Sequence, residues 1–574
     1  GDRMSGVGAD GNVDRRDCIR ELQPALRTLH VADRMWWPGP DVGIGRRDRA
    51  PRSGAGIAGR DRGSEGAPER AQVKSRPFEA PAHAQRGRGA VTDAALTQDP
   101  MTDTVPFAGR IVLLGHGTIG RCIVPMLRRC FSFDPAQLHA IESQSAPDPF
   151  AAHGLEGATY RVATVERDNL DQVLGPLLRS GDLLLNVSMG VDSVDLIDWC
   201  HARGVLYVDT SIEPWEDTHW NAGEPMHRRT EYAYHQRARQ RLLGEPPRSG
   251  PTAVVTHGAN PGLVSHFAKA ALLEVAKAMG LEHDVPASRE DWAELARRTG
   301  TRVIHISERD TQRCAEARRP GEFLNTWSIP GFVEEASMPA EMGWGTHEKR
   351  LPPHGREHAE GPCNAIYIAR PAANVMLRSW VPKGGPIIGL ALPHSESVTL
   401  SDYLTVREGG RAVYRPTVAF VYLPCDAAVA SLHETVMRGW DMSLPQRVVN
   451  EELVDGRDEL GVLLLGHGAG GWWYGSQLSV AEARRILPGH NPTAIQVAAG
   501  ALAAAAWAVR NPERGYCEPE DLPHQEVLDM ARPWLGTMAS RATDWNPLAT
   551  AARFFPEPGR DPDDPWQFGN FLVT

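Results

Sequence analysis

The feature that most narrows what this chain can fold into lies between Arg110 and Glu142. Arg110-Ile-Val-Leu-Leu-Gly115 is a short apolar run that predicts a buried parallel strand. It enters Gly115-His-Gly117-Thr118-Ile119-Gly120, and a helix-length stretch follows to Cys130. The next apolar segment, residues 138–141, ends in Glu142, 22 residues beyond Gly120. Strand, G-x-G-x-x-G, helix, strand and acid together make the dinucleotide-binding fingerprint. The first glycine permits a tight turn, the second lets backbone amides approach a pyrophosphate, and the third lets helix and strand pack closely. The pyrophosphate then meets a helix N-terminus, where free N–H groups and the helix dipole favour negative charge. Gly115, Gly117, Thr118, Ile119 and Gly120 are therefore predicted cofactor contacts, with Glu142 on the ribose hydroxyls. A carboxylate there repels a 2′-phosphate, which predicts NAD in preference to NADP.

Further strand-like runs at residues 160–165, 182–188, 205–209 and 253–256 are each separated by a helix-length segment. That alternation predicts a Rossmann-type α/β domain over residues 105–262, a doubly wound parallel sheet. Ligands of such sheets bind beyond the carboxyl ends of the strands. Ser188, Thr210 and the turn His257-Gly-Ala-Asn260-Pro-Gly262 lie at strand ends and are predicted to line the nicotinamide side. Gly466-His-Gly468-Ala-Gly-Gly471 also fits G-x-G-x-x-G, but Trp-Trp-Tyr follows it instead of a helix, strand and acid. It reads as a tight turn.

Beyond residue 262 the pattern becomes α+β. Residues 266–279 and 289–298 read as helices, and 303–307, 323–328, 365–369, 398–400 and 417–423 as strands. Residues 263–485 are expected to form a substrate and catalytic domain. Residues 486–574 are expected to be helices and a tail that pack back on the nucleotide domain. The uncharged stretch 491–509 is long enough to test as a membrane span, but it is mostly alanine and carries Thr493 and Gln496. It reads as a buried helix, and no membrane is expected.

Residues 1–104 stand apart. The first hundred hold 14 Gly, 8 Pro and 16 Arg, with a net charge of +3 against −14 for the remainder. No sustained apolar period is visible, so a disordered extension is expected, with Met101 as an alternative start. A basic tail for an acidic partner is the functional alternative. Over the whole chain, Lys+Arg 61 against Asp+Glu 72 gives −11, which counts against nucleic acid as a partner. The eight cysteines are scattered without a CxxC pair, which fits a reducing cytoplasm.

The second half is rich in acids and indoles at short spacing. Glu308-Arg-Asp310, Asn325-Thr-Trp327-Ser, Glu334-Glu335, His347-Glu348, His394-Ser-Glu396 and Asp455-Gly-Arg-Asp458-Glu459 are read at strand or turn positions. If they converge they make a carboxylate pocket with an indole wall, suited to ammonium groups by charge-assisted hydrogen bonds and cation–π attraction. Taken singly, each carboxylate reads as a solvated charge and each Trp as core. The one H-x-x-x-H, His354 to His358, follows Pro352-Pro353 and contains a glycine, so it reads as a loop and no metal is expected.

Several long phrases, among them Val112-Leu-Leu-Gly-His-Gly-Thr-Ile-Gly-Arg121, Tyr207-Val-Asp-Thr-Ser-Ile-Glu-Pro-Trp215, Gly258-Ala-Asn-Pro-Gly-Leu-Val-Ser265 and Trp473-Tyr-Gly-Ser-Gln-Leu-Ser479, add a resemblance. From about residue 105 the chain resembles the bacterial homospermidine synthases, within the saccharopine-dehydrogenase-like oxidoreductases. The resemblance implies a redox-neutral aminobutyl transfer. NAD takes a hydride from an amine-bearing carbon of putrescine, or of spermidine as donor, a second amine displaces ammonia, and the hydride returns to the new imine. It implies a homodimer. It places Trp327 against the cation, Glu335 at an amine, and Glu308 and Asp458 on ammonium groups. Asn260 would sit beside the reacting centre, with His394 and Glu396 as a polar wall that moves protons. The family reads Ser-Val-Asp where this chain reads Ser188-Met-Gly-Val-Asp192, so an acid there is either displaced to Asp192 or missing. The alternatives are an NAD-dependent saccharopine or opine-type dehydrogenase, which would need basic residues for substrate carboxylates, and a catalytically silent NAD-binding sensor.

Overall fold

The computed structural model describes residues 104–573 apart from 146–148, 216–220, 222, 244–248, 551–556 and 558. The expected N-terminal extension thus lies outside the described residues but for Thr104.

The first layer is a seven-stranded, all-parallel sheet. Its elements are β1 (Ile111–Leu114), α1 (Thr118–Cys130), β2 (Leu138–Glu142), β3 (Thr159–Val162), β4 (Leu183–Asn186), α2 (Ser193–Arg203), β5 (Leu206–Asp209), α3 (Glu231–Leu242) and β6 (Ala253–Val254). The spatial order is β3-β2-β1-β4-β5-β6, and Tyr516–Cys517 adds a seventh strand beside β6. All residues of β1, β4 and β5 are buried, because helices cover both faces and leave no polar side for alternation. In register, Leu114 stands between Ile141 of β2 and Asn186 of β4. Strand order reverses between β1 and β4, so the crevice beyond their carboxyl ends is where this topology binds ligands.

The second layer is a ten-stranded mixed sheet. Helix α4 (Leu263–Ala278) leads towards its central strand β7 (Val303–Asp310). Strand β8 (Pro339–Gly343) follows helix α5 (Ile329–Ser337). Helix α6 (Ser395–Tyr403) precedes β9 (Thr417–Leu423), and β10 (Arg457–His467) and β11 (Gly470–Ser479) form a hairpin. Strand β9 runs parallel to β7 on one side, and β10 antiparallel to it on the other. The second G-x-G-x-x-G lies at the turn of the β10–β11 hairpin, where Gly466 and Gly470 have φ of 91° and 85°.

Two expected strands are corrected. Residues 398–400 belong to helix α6, whose nine residues are all buried, so no polar face reveals its period. The expected strand 323–328 stops at Asn325, and Ser328 caps α5 by accepting a bond from the Gly331 amide at 3.2 Å. Pro330 in the first turn has no N–H to orphan, so the chain turns there from strand into helix.

Helix α7 (Pro492–Arg510) is buried against α1 and β5. It is the one described helix long and apolar enough to cross a membrane, yet 89% of the relevant window is buried within the protein. Its small residues have a local cause: a Cβ at Gly500 would stand 1.9 Å from the Gly258 carbonyl oxygen. The contact holds the turn carrying Asn260. His257 Nδ1 bonds the Gly500 carbonyl at 3.0 Å, and a carbonyl only accepts, so Nδ1 carries the proton. His257 Nε2 is then the acceptor for His266 Nε2–H at 2.9 Å. Burial lowers both imidazoles, to about 4 for His257, and keeps this chain neutral.

Candidate active site

A cavity of about 580 Å³ opens where the carboxyl ends of the first sheet meet β7, β9, α5 and α6. Its two ends are chemically different.

At the nucleotide end, Gly115, Gly117, Thr118 and Ile119 line the wall. Gly115 has φ of +94°, and a Cβ there would meet the Ser188 amide nitrogen at 2.8 Å. Gly120 lies beneath, outside the lining; a Cβ on it would meet the Gly115 carbonyl at 2.2 Å. Gly117 differs: nothing lies within 4 Å of the position its Cβ would take. It is also the N-cap of α1 and supplies no side-chain bond, so the first-turn amides face open space. A bare backbone cradle with a free helix N-terminus fits a dinucleotide pyrophosphate. Glu142 reaches the same end, its Oε2 accepting from the His116 amide at 2.7 Å and its Oε1 from the Ser143 amide at 2.8 Å. Burial would raise its pKa, but these amides and the Ser143 hydroxyl outweigh it and hold the carboxyl below its usual range. An ionised Glu142 suits ribose hydroxyls and opposes a 2′-phosphate. Ser188 and Thr210 line the adjoining wall, with Ser188 Oγ donating to Asn186 Oδ1 at 2.6 Å.

At the other end the wall is acidic and aromatic. Glu308 on β7 accepts from Asn260 Nδ2 at 2.7 Å. Trp327 lines the cavity, its Nε1–H donating to the Tyr422 hydroxyl at 3.2 Å. Tyr422 faces Glu308 across the β7–β9 pair, and Phe420, two residues earlier on the same face, packs 4.2 Å from His394. His394 sits between two carboxylates, Nε2 at 3.3 Å from Glu335 and Nδ1 at 3.3 Å from Glu396. Burial alone would lower His394, but Glu396 and Glu335 outweigh it and push it well above the usual histidine range. Two carboxylates at 3.3 Å, one on each ring nitrogen, favour the imidazolium form. Burial first, and then the Asp458 carboxylate, push Glu308 well above the usual carboxylate range. No Lys or Arg lines the cavity among the described residues.

Of the residues singled out in the sequence, Trp327, Glu335, Asn260, His394 and Glu308 border the cavity. Glu396 and Asp458 do not; they are 0% and 1% exposed and stand one layer back, behind His394 and Glu308 respectively. Glu334 and Glu335 are on helix α5 and not on a strand or turn. His347 and Glu348 are elsewhere: His347 contacts the Trp566 carbonyl, and Glu348 accepts from Thr417 Oγ1 and the Phe568 amide. Asp455 is exposed and Glu459 accepts from the Lys383 amide. His354 contacts Arg370, whereas His358 contacts Glu341 and stacks on Tyr232. Asp192 caps α2 and holds Arg237 through two bonds of 2.5 and 3.0 Å, so it is a structural acid. Met189 and Gly190 line the wall in that loop instead.

Two lining acids escaped that reading, and a third was named in it without a role. Glu231 accepts from Ser395 Oγ at 2.7 Å, and Glu213 from Ser211 Oγ at 2.6 Å; Glu334 lies beside Glu335 but only Glu335 was assigned a role. Glu231 follows the cap Thr230 at the start of α3, where an acid is ordinary helix chemistry and carries no separate signal. Phe420 and Tyr422 could have been found from the period of two along β9, which puts them on one face.

Comparison with known proteins agrees with this geometry. The saccharopine dehydrogenase NADP binding domain family matches residues 111–254, and the saccharopine dehydrogenase C-terminal domain family matches residues 258–544. A homospermidine synthase of Blastochloris viridis is 42% identical over 470 residues, covering 81% of this chain and 97% of the relative. One of Mesorhizobium japonicum is 41% identical over 474 residues, with the same shares. The crystal structure of the homospermidine synthase from Legionella pneumophila in complex with NAD has a TM-score of 0.76 at 40% identity, covering 83% of this chain and 100% of that one. The chain belongs to the homospermidine synthase family.

Proposed function

We infer that this chain is an NAD-dependent aminobutyl transferase that makes homospermidine and ammonia from putrescine. One observation carries the reading: a single cavity has a dinucleotide cradle at one end and, at the other, glutamates with an indole and, among the described residues, no Lys or Arg. A saccharopine- or opine-type substrate presents carboxylates, which this wall would repel.

Bound NAD supplies an acceptor and donor of hydride. Gly115, Gly117, Thr118 and the first-turn amides of α1 would hold its pyrophosphate, and Glu142 a ribose. The chain's other residues handle nitrogen. Glu335, in contact with the His394 imidazolium, and Glu308, fixed by Asn260, would each take an amino group of the substrate. Trp327, oriented by Tyr422, would stabilise positive charge on the reacting carbon–nitrogen centre by roughly 1–2 kcal/mol once water is excluded. Glu396 acts through His394, keeping the imidazolium charged and its ring fixed.

The wall holds carboxylates beyond Glu308 and Glu335, Glu213, Glu231 and Glu334 among them. We extend the reading to spermidine as an alternative donor, whose extra amine they would meet. A homodimer in a reducing cytoplasm completes the proposal. Purified protein incubated with putrescine and NAD should yield homospermidine and ammonia in equal amounts without accumulating NADH. Stoichiometric NADH with no homospermidine would refute it, and sedimentation at a monomer's rate would remove the dimer alone.

A further inference from the structure

We propose that Glu308 and Asp458 share one proton and act as a single acid–base unit, with Asp458, outside the cavity, setting the charge of Glu308. The proposal deepens the aminobutyl-transfer reading and rests on it for its chemistry.

The geometry comes from strand register. Glu308 and Asp310 are two apart on β7 and so share a face of the sheet. In the antiparallel β7–β10 pair, Asp458 stands opposite Asp310 and Leu460 opposite Glu308, which makes Asp458 the diagonal neighbour of Glu308. A diagonal pair is within reach of a side chain as long as glutamate, so the register makes the two carboxyls neighbours on one face of the sheet.

The remaining contacts leave room for one proton between them. Asp458 Oδ2 accepts from Thr493 Oγ1 at 2.6 Å, while its Oδ1 is buried without a partner. Glu308 Oε2 accepts from Asn260. Asp310 already accepts from the Gln312 amide and from Thr326 Oγ1, both at 2.7 Å, so its oxygens are engaged. The titratable groups that face the pair are Asp310 on β7, Tyr422 on β9, Glu459 on β10 and His394 before α6. Only His394 among these can carry positive charge, and it is already matched by Glu335 and Glu396. Two carboxyls facing each other in such a place cannot both ionise. Burial, and then Asp310, push Asp458 up to about 8, in keeping with a retained proton.

The chemistry then balances. Once the attacking amine has bonded to the iminium carbon its nitrogen is positively charged; the singly protonated pair, of charge −1, takes a proton from that nitrogen and becomes neutral, leaving it a lone pair. Later the bond between carbon and the departing nitrogen breaks with both electrons going to that nitrogen. The nitrogen retained on the carbon supplies its lone pair to form the iminium. The pair returns its proton to the departing nitrogen, which leaves as ammonia, and the charge is again −1.

The test uses the NAD-loaded full chain. An infrared pH titration should show a protonated-carboxyl stretch that is lost in Asp458→Asn and in Glu308→Gln but kept in Asp455→Asn, a surface control. In turnover, kcat of the parent should fall about tenfold per pH unit below the pH at which the pair takes up its second proton, because the neutral pair can accept none. In Asp458→Asn that acid limb should move to lower pH, because the carboxyl that opposes a charge on Glu308 is gone. Thr493→Val, which keeps both carboxyls, should move the limb without abolishing it. A limb at the same pH in Asp458→Asn, or a carboxyl stretch untouched by that change, overturns the proposal. If the parent makes no homospermidine, the functional reading fails, and the infrared result decides the pair by itself.

Discussion

The two ends of the cavity recognise opposite charge by opposite means. The nucleotide end uses backbone: glycines without side chains, a helix N-terminus left uncapped, and one glutamate kept ionised by amides. The amine end uses side chains: glutamates and an imidazolium gathered from β7, α3, α5 and the start of α6, with an indole fixed by a tyrosine. Anion binding therefore needs a particular chain path, whereas cation binding needs a convergence of acids whose mutual repulsion the substrate relieves. The first is encoded locally and tolerates almost no change of shape. The second is spread from Glu231 to Tyr422 and is sensitive to charge.

The difference can be broken by single substitutions. The largest effect is expected for Glu308→Gln, which keeps the bond to Asn260 feasible but removes the base. Turnover should fall about 10²–10⁴-fold, while NAD affinity measured by titration stays within about twofold. Trp327→Ala should lower kcat by about 30-fold, the worth of a desolvated cation–π contact near 2 kcal/mol, again with NAD affinity held. Equal losses in turnover and NAD binding would contradict the role of either residue. Gly120→Ala inverts the pattern. Its methyl would meet the Gly115 carbonyl, so NAD should bind about tenfold or more weakly, and saturating NAD should restore most of kcat.

Acid separates the two ends more gently. Burial and like charge raise Glu308, and burial raises Asp310 to about 6, so these lose charge early as pH falls, whereas Asp458, raised to about 8, already holds its proton at neutral pH. Glu142 is held low and stays ionised longer. The KM for putrescine should therefore rise several-fold between about pH 7 and 5, with NAD affinity unchanged over that range. A parallel decline of both would mean that the two ends do not differ in the way described. The smallest effect is expected from removing residues 1–100: because the cavity is built from residues 114–497, activity should stay within about twofold.

That contrast also explains what could be read from the sequence. The nucleotide end was legible because its parts occupy 28 consecutive residues, Gly115 to Glu142, with fixed spacing, and the strands expected at 182–188, 205–209 and 253–256 contain β4, β5 and β6. The amine end was legible only as a set of residue types. Nothing local separates Glu308, which faces the cavity, from Glu348, which caps an amide; the pairing of β7 with β9 and β10 decides it. Residues 398–400 were misread because a fully buried helix has no polar face to mark its period. Asp458 was expected on the substrate and lies behind Glu308, since register along β10 cannot be read from one strand alone. Resemblance to a family supplied what spacing did not, and here too Asp192 needed the structure to be assigned to the Arg237 clasp.

The central claim is that one chamber keeps the hydride from the moment it leaves the amine-bearing carbon until it returns. Putrescine carrying deuterium on both terminal carbons tests this directly, with the label in the product read by mass spectrometry. The account predicts homospermidine that retains all eight deuterium atoms, even with a large excess of unlabelled NADH in solution. Product that has exchanged one deuterium for hydrogen would show that the hydride escapes to the bulk, and would contradict it.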